Sequence, residues 1–344
     1  MSAASSTLPF FGRAYELSIT TASGTTIVVS SDAWEPEALR FTFDIETYAF
    51  KAFWVAEIAI YNCDGNISSG PSAGVNLAQT IISEGDQVIV KAGYQHGSYD
   101  TIFAGTVFQP IWERLDVVDY RLVLRCVLGR SLATLNFIND SVGALSTARQ
   151  QALAIAQRSV TPINLDTEQL SVLPGIQLPR GKVFFGDPVR ALHGLASQTG
   201  LLSWLNHTGW TVADPNTPLG DVIAKYAPPL SDQCAGSTND AGETLSLIGT
   251  PQQTQYGVNF RVLLDPRVQV TAPLSQVGLN AQYVRQAQLS YPAPQAPPRP
   301  LQQTYGVVGV RYVGDTRGNA WYSEITGFSS VQDLLSLFGS PTSN

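Results

Sequence analysis

Between residues 25 and 128, apolar side chains recur at every second position in six short runs, the period of a strand with one face in a core and the other in solvent. The runs are TTIVVSS (25–31), ALRFTFDIE (38–46), WVAEIAIYN (54–62), DQVIVKAGY (86–94), DTIFAGTVFQPI (100–111) and DYRLVLRCVL (119–128). In the third, Val55, Glu57, Ala59 and Tyr61 share one face, and Ala56, Ile58 and Ile60 the other. CDGN, SEGD and YQHGSYD separate the runs as turns. Strands this short, at this spacing, predict an antiparallel barrel or sandwich.

After Arg130 the period changes to that of a helix. In ALSTARQQALAIAQRS, Leu145, Ala148, Ala152 and Ile155 fall on one helical face, and Thr147 with Gln150 fits a capping box. Thr161-Pro162 stops this helix. A second is predicted at DPVRALHGLASQTG, with Asp187 as cap, Pro188 at the first helical position, Gly200 as the left-handed stop and Val189, Leu192 and Ala196 facing inward. LLSWLNHTGWTVA reads as a hairpin. Alternation returns near Leu245: Val258, Phe260, Val262 and Leu264 line one side of a strand closed by Asp265-Pro266. AQYVRQAQLSYP and TYGVVGVRYVGD continue it, separated by the proline-rich YPAPQAPPRPL. A last amphipathic stretch, SSVQDLLSLFG, carries Leu334 and Leu337. The pattern predicts a mainly β protein with a smaller α+β insert: a β-barrel over 1–130, a mixed helical domain over 131–240, and a second barrel with a C-terminal tail over 241–344.

Composition agrees with strands and turns. Of 344 residues only 14% are charged, while there are 29 Gly and 21 Pro. The net charge of −7 carries no basic run to clamp nucleic acid. It is also uneven: 8 basic against 14 acidic residues over 1–130, 6 against 8 over 131–240, and 6 against 5 over 241–344. Cys63, Cys126 and Cys234 are odd in number and lack paired spacing, so buried free thiols are expected. The first residues have no charge before Arg13 and only a short apolar patch, so no cleaved export signal is expected. No apolar run reaches the roughly 18–20 residues of a membrane span. A soluble chain made in a reducing cytosol is the expectation.

Reactive constellations are sparse. His96 and His207 sit in predicted turns and His193 in the second helix, none near a Gly-x-Ser-x-Gly elbow or a cysteine motif. The histidines and cysteines lack metal-ligand spacing. Glu113 and Asp116 are close enough in sequence to consider as a glycosidase pair, but they flank a strand connection. Gly181-Lys182 lacks the remaining residues of a phosphate loop. The sequons at Asn66, Asn139 and Asn206 have no meaning without secretion. No catalytic, cofactor-binding or metal-binding residue is assigned, and no enzyme is expected.

Three stretches carry a resemblance. EGDQVIVKAGYQHGSYDTIFAGTV (84–107), preceded by LRFTFDIET and AEIAIYN, resembles the baseplate hub proteins of contractile-tailed bacteriophages, the Mu-like tail hub family. There an acidic-Gly-Asp turn leads to V-x-V-x-A-G-Y and then to I-F-x-G-x-V. LIGTPQQTQYGVNFRVLLDPRV (247–268) and GVVGVRYVGDTRGNAWYSEITGF (306–328) are similar to that family's later barrel, including its G-D-T-R-G-x-x-W turn. The resemblance implies a homotrimer in which each subunit contributes two tail-tube-like barrels, giving a pseudo-sixfold ring. Such a ring joins a hexameric tail tube protein to a trimeric central spike protein, contacts other baseplate and wedge proteins, and lets DNA pass without specific binding. It also implies no cofactor, no stable membrane insertion, and a place in the virion baseplate after assembly in the host cytoplasm. SVLPGIQLPRGKVFFGD and the proline-rich loop depart from the pattern. The rival readings are a tail-tip peptidoglycan hydrolase, a receptor- or carbohydrate-binding β-module using Trp210 and Trp321, and a hub of a non-contractile tail or injection machine.

Overall fold

The period-two segments form strands, and they bury the side chains that the alternation assigns to a core. In the segment 54–61, Trp54, Ala56, Ile58 and Ile60 are buried while Val55 and Glu57 face outward; Ala59, expected on the outer face, is buried too. In 257–264, Val258, Phe260, Val262 and Leu264 are all buried, as the sequence predicts. The computed structural model describes residues 12–32, 39–49, 54–63, 72, 75–77, 80–95, 97–128, 136–160, 162–165, 169–177, 179–206, 209–214, 219–229, 235–254, 257–271, 273–280, 284 and 304–328.

In chain order the strands begin with β1 (Arg13–Thr20), β2 (Thr26–Asp32), β3 (Phe41–Tyr48), β4 (Trp54–Tyr61), β5 (Gln87–Tyr94), β6 (Tyr99–Arg114) and β7 (Tyr120–Leu128). Four short strands follow: β8 (Ile138–Val142), β9 (Lys182–Gly186), β10 (Leu202–Asn206) and β11 (Gly209–Ala213). The last six are β12 (Val222–Tyr226), β13 (Leu247–Gln253), β14 (Gly257–Leu263), β15 (Gln276–Leu279), β16 (Thr304–Asp315) and β17 (Trp321–Phe328). The first seven and last six join in one thirteen-stranded sheet whose main path runs β13-β14-β17-β16-β3-β4-β7-β6-β5-β1-β2. Every pair on that path is antiparallel, and β12 and β15 attach as a parallel pair beside β16.

The mainly β character with a small helical part is as expected. Closure into two separate barrels is not what the hydrogen bonds draw: the path is open, and the two halves share one sheet through the β3–β16 pairing of Thr42–Tyr48 with Gly309–Asp315. The physical reason is that β3 and β16 both alternate cleanly, so each can bury one face on a common core while pairing along its edge. That core draws from both ends of the chain, with Phe43 against Trp321 edge-on at 5.3 Å and Tyr15 stacked on Phe41 at 4.6 Å. β1 was absent from the expected strands, yet it lies between β2 and β5 and buries Tyr15, Leu17 and Ile19. Its alternation, with Tyr15, Leu17 and Ile19 on the buried face, is legible in the residues.

The middle of the chain forms a second core. Helix α1 (Ala148–Arg158) starts in the predicted capping box: Thr147 Oγ1 accepts from the Gln150 amide, and the Gln150 side chain accepts from the Thr147 amide. Helix α2 (Pro188–Gln198) has Asp187 as cap, Pro188 in its first turn, and Gly200 at φ +75° beyond its end. Ala148, Ala152 and Ile155 of α1 and Val189, Leu192 and Ala196 of α2 pack together with Trp210, the antiparallel pair β8–β9 and the hairpin β10–β11. Leu145 is a correction: it lies before the helix at φ +65° and is largely exposed. The expected strand 281–292, the proline-rich loop and the stretch around Leu334 and Leu337 lie outside the described residues, apart from the buried Val284.

Ile58 is fully buried at the centre of the sheet, whereas Val55 on the same strand is 45% exposed. Ile58→Ala is expected to lower unfolding free energy by about 2–5 kcal/mol. Val55→Ala should stay within about 0.5 kcal/mol. Denaturant midpoints of the two variants check both.

Candidate functional site

The residues considered for chemistry are not brought together. Glu113 ends in an ion pair with Arg121 across the β6–β7 hairpin. Asp116 accepts from the Val117 amide at the hairpin apex. His96, His207, Asn66 and Cys234 lie outside the described residues. Lys182 reaches the Gln198 side chain at 2.8 Å and lies over the Phe184 ring, so its ammonium is engaged locally and burial lowers its pKa. Asn139 is on β8, and Asn206 uses its side chain to close the β10–β11 turn through the Gly209 amide. Cys63 and Cys126 are buried free thiols, and desolvation pushes Cys126 up to about 12. Trp210 and Trp321 are buried to 1% and 3% exposure, which removes the exposed aromatics invoked for glycan binding. Among the described residues no group of three or more His, Cys, Asp and Glu could hold a metal ion. No helix there is long and apolar enough to cross a membrane.

One Ser–His contact exists, between His193 Nδ1 on α2 and Ser203 Oγ on β10 at 2.7 Å. The nearby Asp187 carboxylate is committed to the helix cap, accepting from the Val189 and Arg190 amides. The contact therefore fastens α2 to β10. Burial holds the His193 pKa below its ordinary value, against the opposing pull of Asp187 and Ser203.

Two features of the large sheet carry more weight. The first is the turn 314–321, quoted above as G-D-T-R-G-x-x-W. Asp315 carbonyl and Gly318 carbonyl both accept from the Arg13 guanidinium, at 2.6 and 2.5 Å. The Asp315 carboxylate receives Arg40 at 2.7 Å and the Arg317 amide at 2.9 Å. Thr316 and Phe41 exchange bonds, Thr316 Oγ1 accepting from the Phe41 amide and the Thr316 amide donating to Phe41 oxygen. Trp321 Nε1 donates to Gly93 oxygen, while Arg13 lies over the Trp321 ring. The turn thus rivets the C-terminal strands to β1, β3 and β5. Gly314 is required because a Cβ there would enter the Phe43 ring, and Gly93 because one would enter the backbone of Ser98. Burial raises the Asp315 pKa, but the bonds from Arg40, Arg317 and Gly318 outweigh it and hold the carboxyl below its ordinary value. The signature glycines and aspartates of 84–107 are likewise structural: buried Asp86 accepts from the Ala22 and Ser83 amides.

The second feature is a row of polar side chains on the face opposite the core. Arg261 of β14 reaches Glu324 of β17; Arg311 of β16 bridges Glu324 and Asp44 of β3; Glu57 of β4 meets Arg125 of β7, which reaches Gln109 of β6. The hydrogen bonding of Arg311 to Asp44 raises its pKa further above the ordinary guanidinium value. With Glu46 the row holds three basic and four acidic residues. A depression of about 430 Å³ sits on it, lined in part by Asp44, Glu46, Glu57, Phe108 and Arg125. None of these partners was predictable from sequence, because the row spans the whole chain and is assembled only by strand order.

A scan of family models finds no match, and no curated protein matches. Solved structures do. The 43 kDa tail protein of prophage MuSo2 from Shewanella oneidensis superposes over 93% of this chain and 99% of its own, with a TM-score of 0.54 at 9% identity. The fold is that of a phage tail protein. Also similar are a tail protein of Neisseria meningitidis MC58 (14% identity, 93% and 98% covered, TM-score 0.49) and an Escherichia coli component of the type VI secretion system (9% identity, 87% and 76% covered, TM-score 0.46). At 9% identity the MuSo2 tail protein shares the fold alone, and none of the side-chain contacts above is carried over from a relative.

Asp315→Ala removes the acceptor of a charged donor and of a turn amide, and is expected to cost about 2 kcal/mol in a denaturant titration. For His193 the sign follows from a folded pKa below the unfolded 6.5: stability is full above that value and falls as the pH drops toward the folded pKa, because the unfolded chain binds the proton more readily. The unfolding midpoint should be lower at pH 5 than at pH 7, and His193→Gln should shrink that difference.

Proposed function

We propose that this protein is a structural component of a phage tail, the baseplate hub, in which three copies form a pseudo-sixfold ring between a hexameric tube and a trimeric spike. The observation that carries the reading is the strand order around the seam. On one side of the β3–β16 pairing lies the run β3-β4-β7-β6, continued by β5-β1-β2, and on the other β16-β17-β14-β13, with β15 and β12 attached beside β16. Taking the four strands next to the seam on each side, each chain offers two four-stranded units side by side, and three chains would offer six. That count matches a sixfold tube above while keeping threefold symmetry for a spike below. The shared fold of a prophage tail protein supports the assignment to a tail.

The role proposed is mechanical and not enzymatic. Tail tube, spike and wedge proteins are the partners, and the virion baseplate is the location. The polar row fits the wall of a bore. Its ion pairs are local, its sum is slightly acidic, and a polyanion sliding past finds no basic track. Edges of the sheet pairing between chains would close the ring through main-chain bonds, with no reactive side chain required.

Light scattering on the purified protein should report three chains, and negative-stain images should show rings with an open centre. A strictly monomeric species that forms no ring in the presence of tail tube protein contradicts the reading. In a retardation assay at low salt the wild type should leave duplex DNA unshifted. Glu46→Lys with Glu57→Lys turns the row basic and should produce a salt-sensitive shift; Glu57 is 58% exposed, so its loss costs little stability.

A further inference from the structure

The two ends of the strands in the large sheet differ in symmetry. Strands β3 to β7 and β13 to β17 follow one plan: β4 lies between β3 and β7 as β14 lies between β13 and β17, and β6 pairs β5 and β7 as β16 pairs β15 and β17. Register places both connecting turns, 115–119 after β6 and 316–320 after β16, at the same end, because Asp315 lies opposite Thr42, Phe41 opposite Ile60, Tyr61 opposite Arg121 and Tyr120 opposite Arg114. That end carries two equivalent hairpins per chain. The insert leaves and rejoins the sheet at the other end. It follows Leu128, which lies opposite Trp54, and it returns in β12, whose Val222 lies beside Gln276, itself opposite Gly306 near the start of β16. Leu202, Ala213 and Leu219 root it there on the large core. The insert occurs once per chain.

On the insert, β8 and β9 turn one face inward and the other out. Ile138 and Phe184 are buried in the insert core, whereas Phe137, Val183 and Phe185 are 41%, 70% and 76% exposed. Register sets Asn139 opposite Phe185 and Ser141 opposite Val183, so the outer face of the pair holds no charged residue. Phe137 meets Phe185 edge-on at 5.0 Å, and the amide of Val160, 74% exposed, donates to the Phe137 carbonyl, which sets a fourth apolar residue beside them. From these observations we infer that the outer face of β8–β9 is the docking surface for the trimeric spike protein, and that the hairpin end of the strands faces the tube. Symmetry carries the argument. A sixfold partner needs six equivalent contacts, and three copies supply six hairpins at one end but three inserts at the other. Size points the same way, since four side chains fall far short of the roughly 20–30 residues a side of a self-sufficient interface. The face holds a partner firmly only when it is repeated, and three copies around one axis engage a threefold spike at three points at once. Burial of the two phenylalanines and two valines supplies the attraction, with no charge on the face to desolvate.

The inference rests on the ring reading above. Phe185→Asp and, in the β6–β7 turn, Val118→Asp are made in the full chain; Val118 is 77% exposed, so neither change opens a core. Each variant and the wild type are titrated with the trimeric spike protein and sedimented with assembled tail tubes of the same phage. Phe185→Asp is expected to weaken spike binding about tenfold or more while leaving tube sedimentation and the light-scattering mass unchanged. Val118→Asp is expected to do the reverse, losing the tube and keeping the spike. Undiminished spike binding by Phe185→Asp, or loss of the tube in its place, overturns the assignment. A fall in mass on Phe185→Asp identifies the face as a contact between copies and overturns it too. A wild type that binds neither partner removes the ring reading and this inference together, whereas wild type and Phe185→Asp binding both partners alike removes this inference alone.

Discussion

The antiparallel pairing of β3 with β16 is the constraint on which the rest of the molecule depends. It joins residues more than 260 positions apart along the chain and turns two sets of strands into one sheet with one core. A contact so distant in sequence carries a large loop-closure cost before it contributes anything, so the strands alone are a weak guarantee of register. The turn 314–321 supplies that guarantee. Arg13, Arg40, Phe41 and Gly93 all engage it from the N-terminal side, so a slip of one residue at the seam would break every one of these bonds and turn the buried faces outward.

A buried carboxylate plays a similar part nearby. Asp265, fully buried, accepts from the Tyr226 hydroxyl and pairs with Arg267, while its amide donates to Ser323. The hydrogen bond from Arg267 to Asp265 raises the guanidinium pKa, so the cation persists at any working pH. Breaking such a pair strands a charge in the core, which costs far more than the intact pair contributes. The aspartate of Asp265-Pro266 thus does more than end a strand: it ties β12, β14 and β17 at one point.

The polar row shows what a sheet does with the face it does not bury. Charges of opposite sign lie next to one another on neighbouring strands, each pair individually worth little in water. Their collective effect is to keep a wide, flat surface wet and nearly neutral. That property suits the passage for a polyanion proposed for this face.

Much of this was legible in the residues. Alternation gave the strands of both ends and their buried faces, and helix capping at Thr147 and Asp187 and the stop at Gly200 came directly from side-chain chemistry; all depend on interactions within a few residues of one another. β1 shows the limit of that reading, since its alternation is present in the residues and yet it is not among the expected strands. Leu145 shows another: it keeps the helical period but precedes the cap at Thr147, so periodicity alone placed it on the inner face. What only the tertiary structure decided is which strands are neighbours. The β3–β16 seam, the Arg13 and Arg40 contacts to the 314–321 turn, and the row from Arg261 to Gln109 are assembled from residues distant in sequence. A period of two records that a strand has a core face, but it holds no information about the partner at its edge, since backbone hydrogen bonds are the same for every residue.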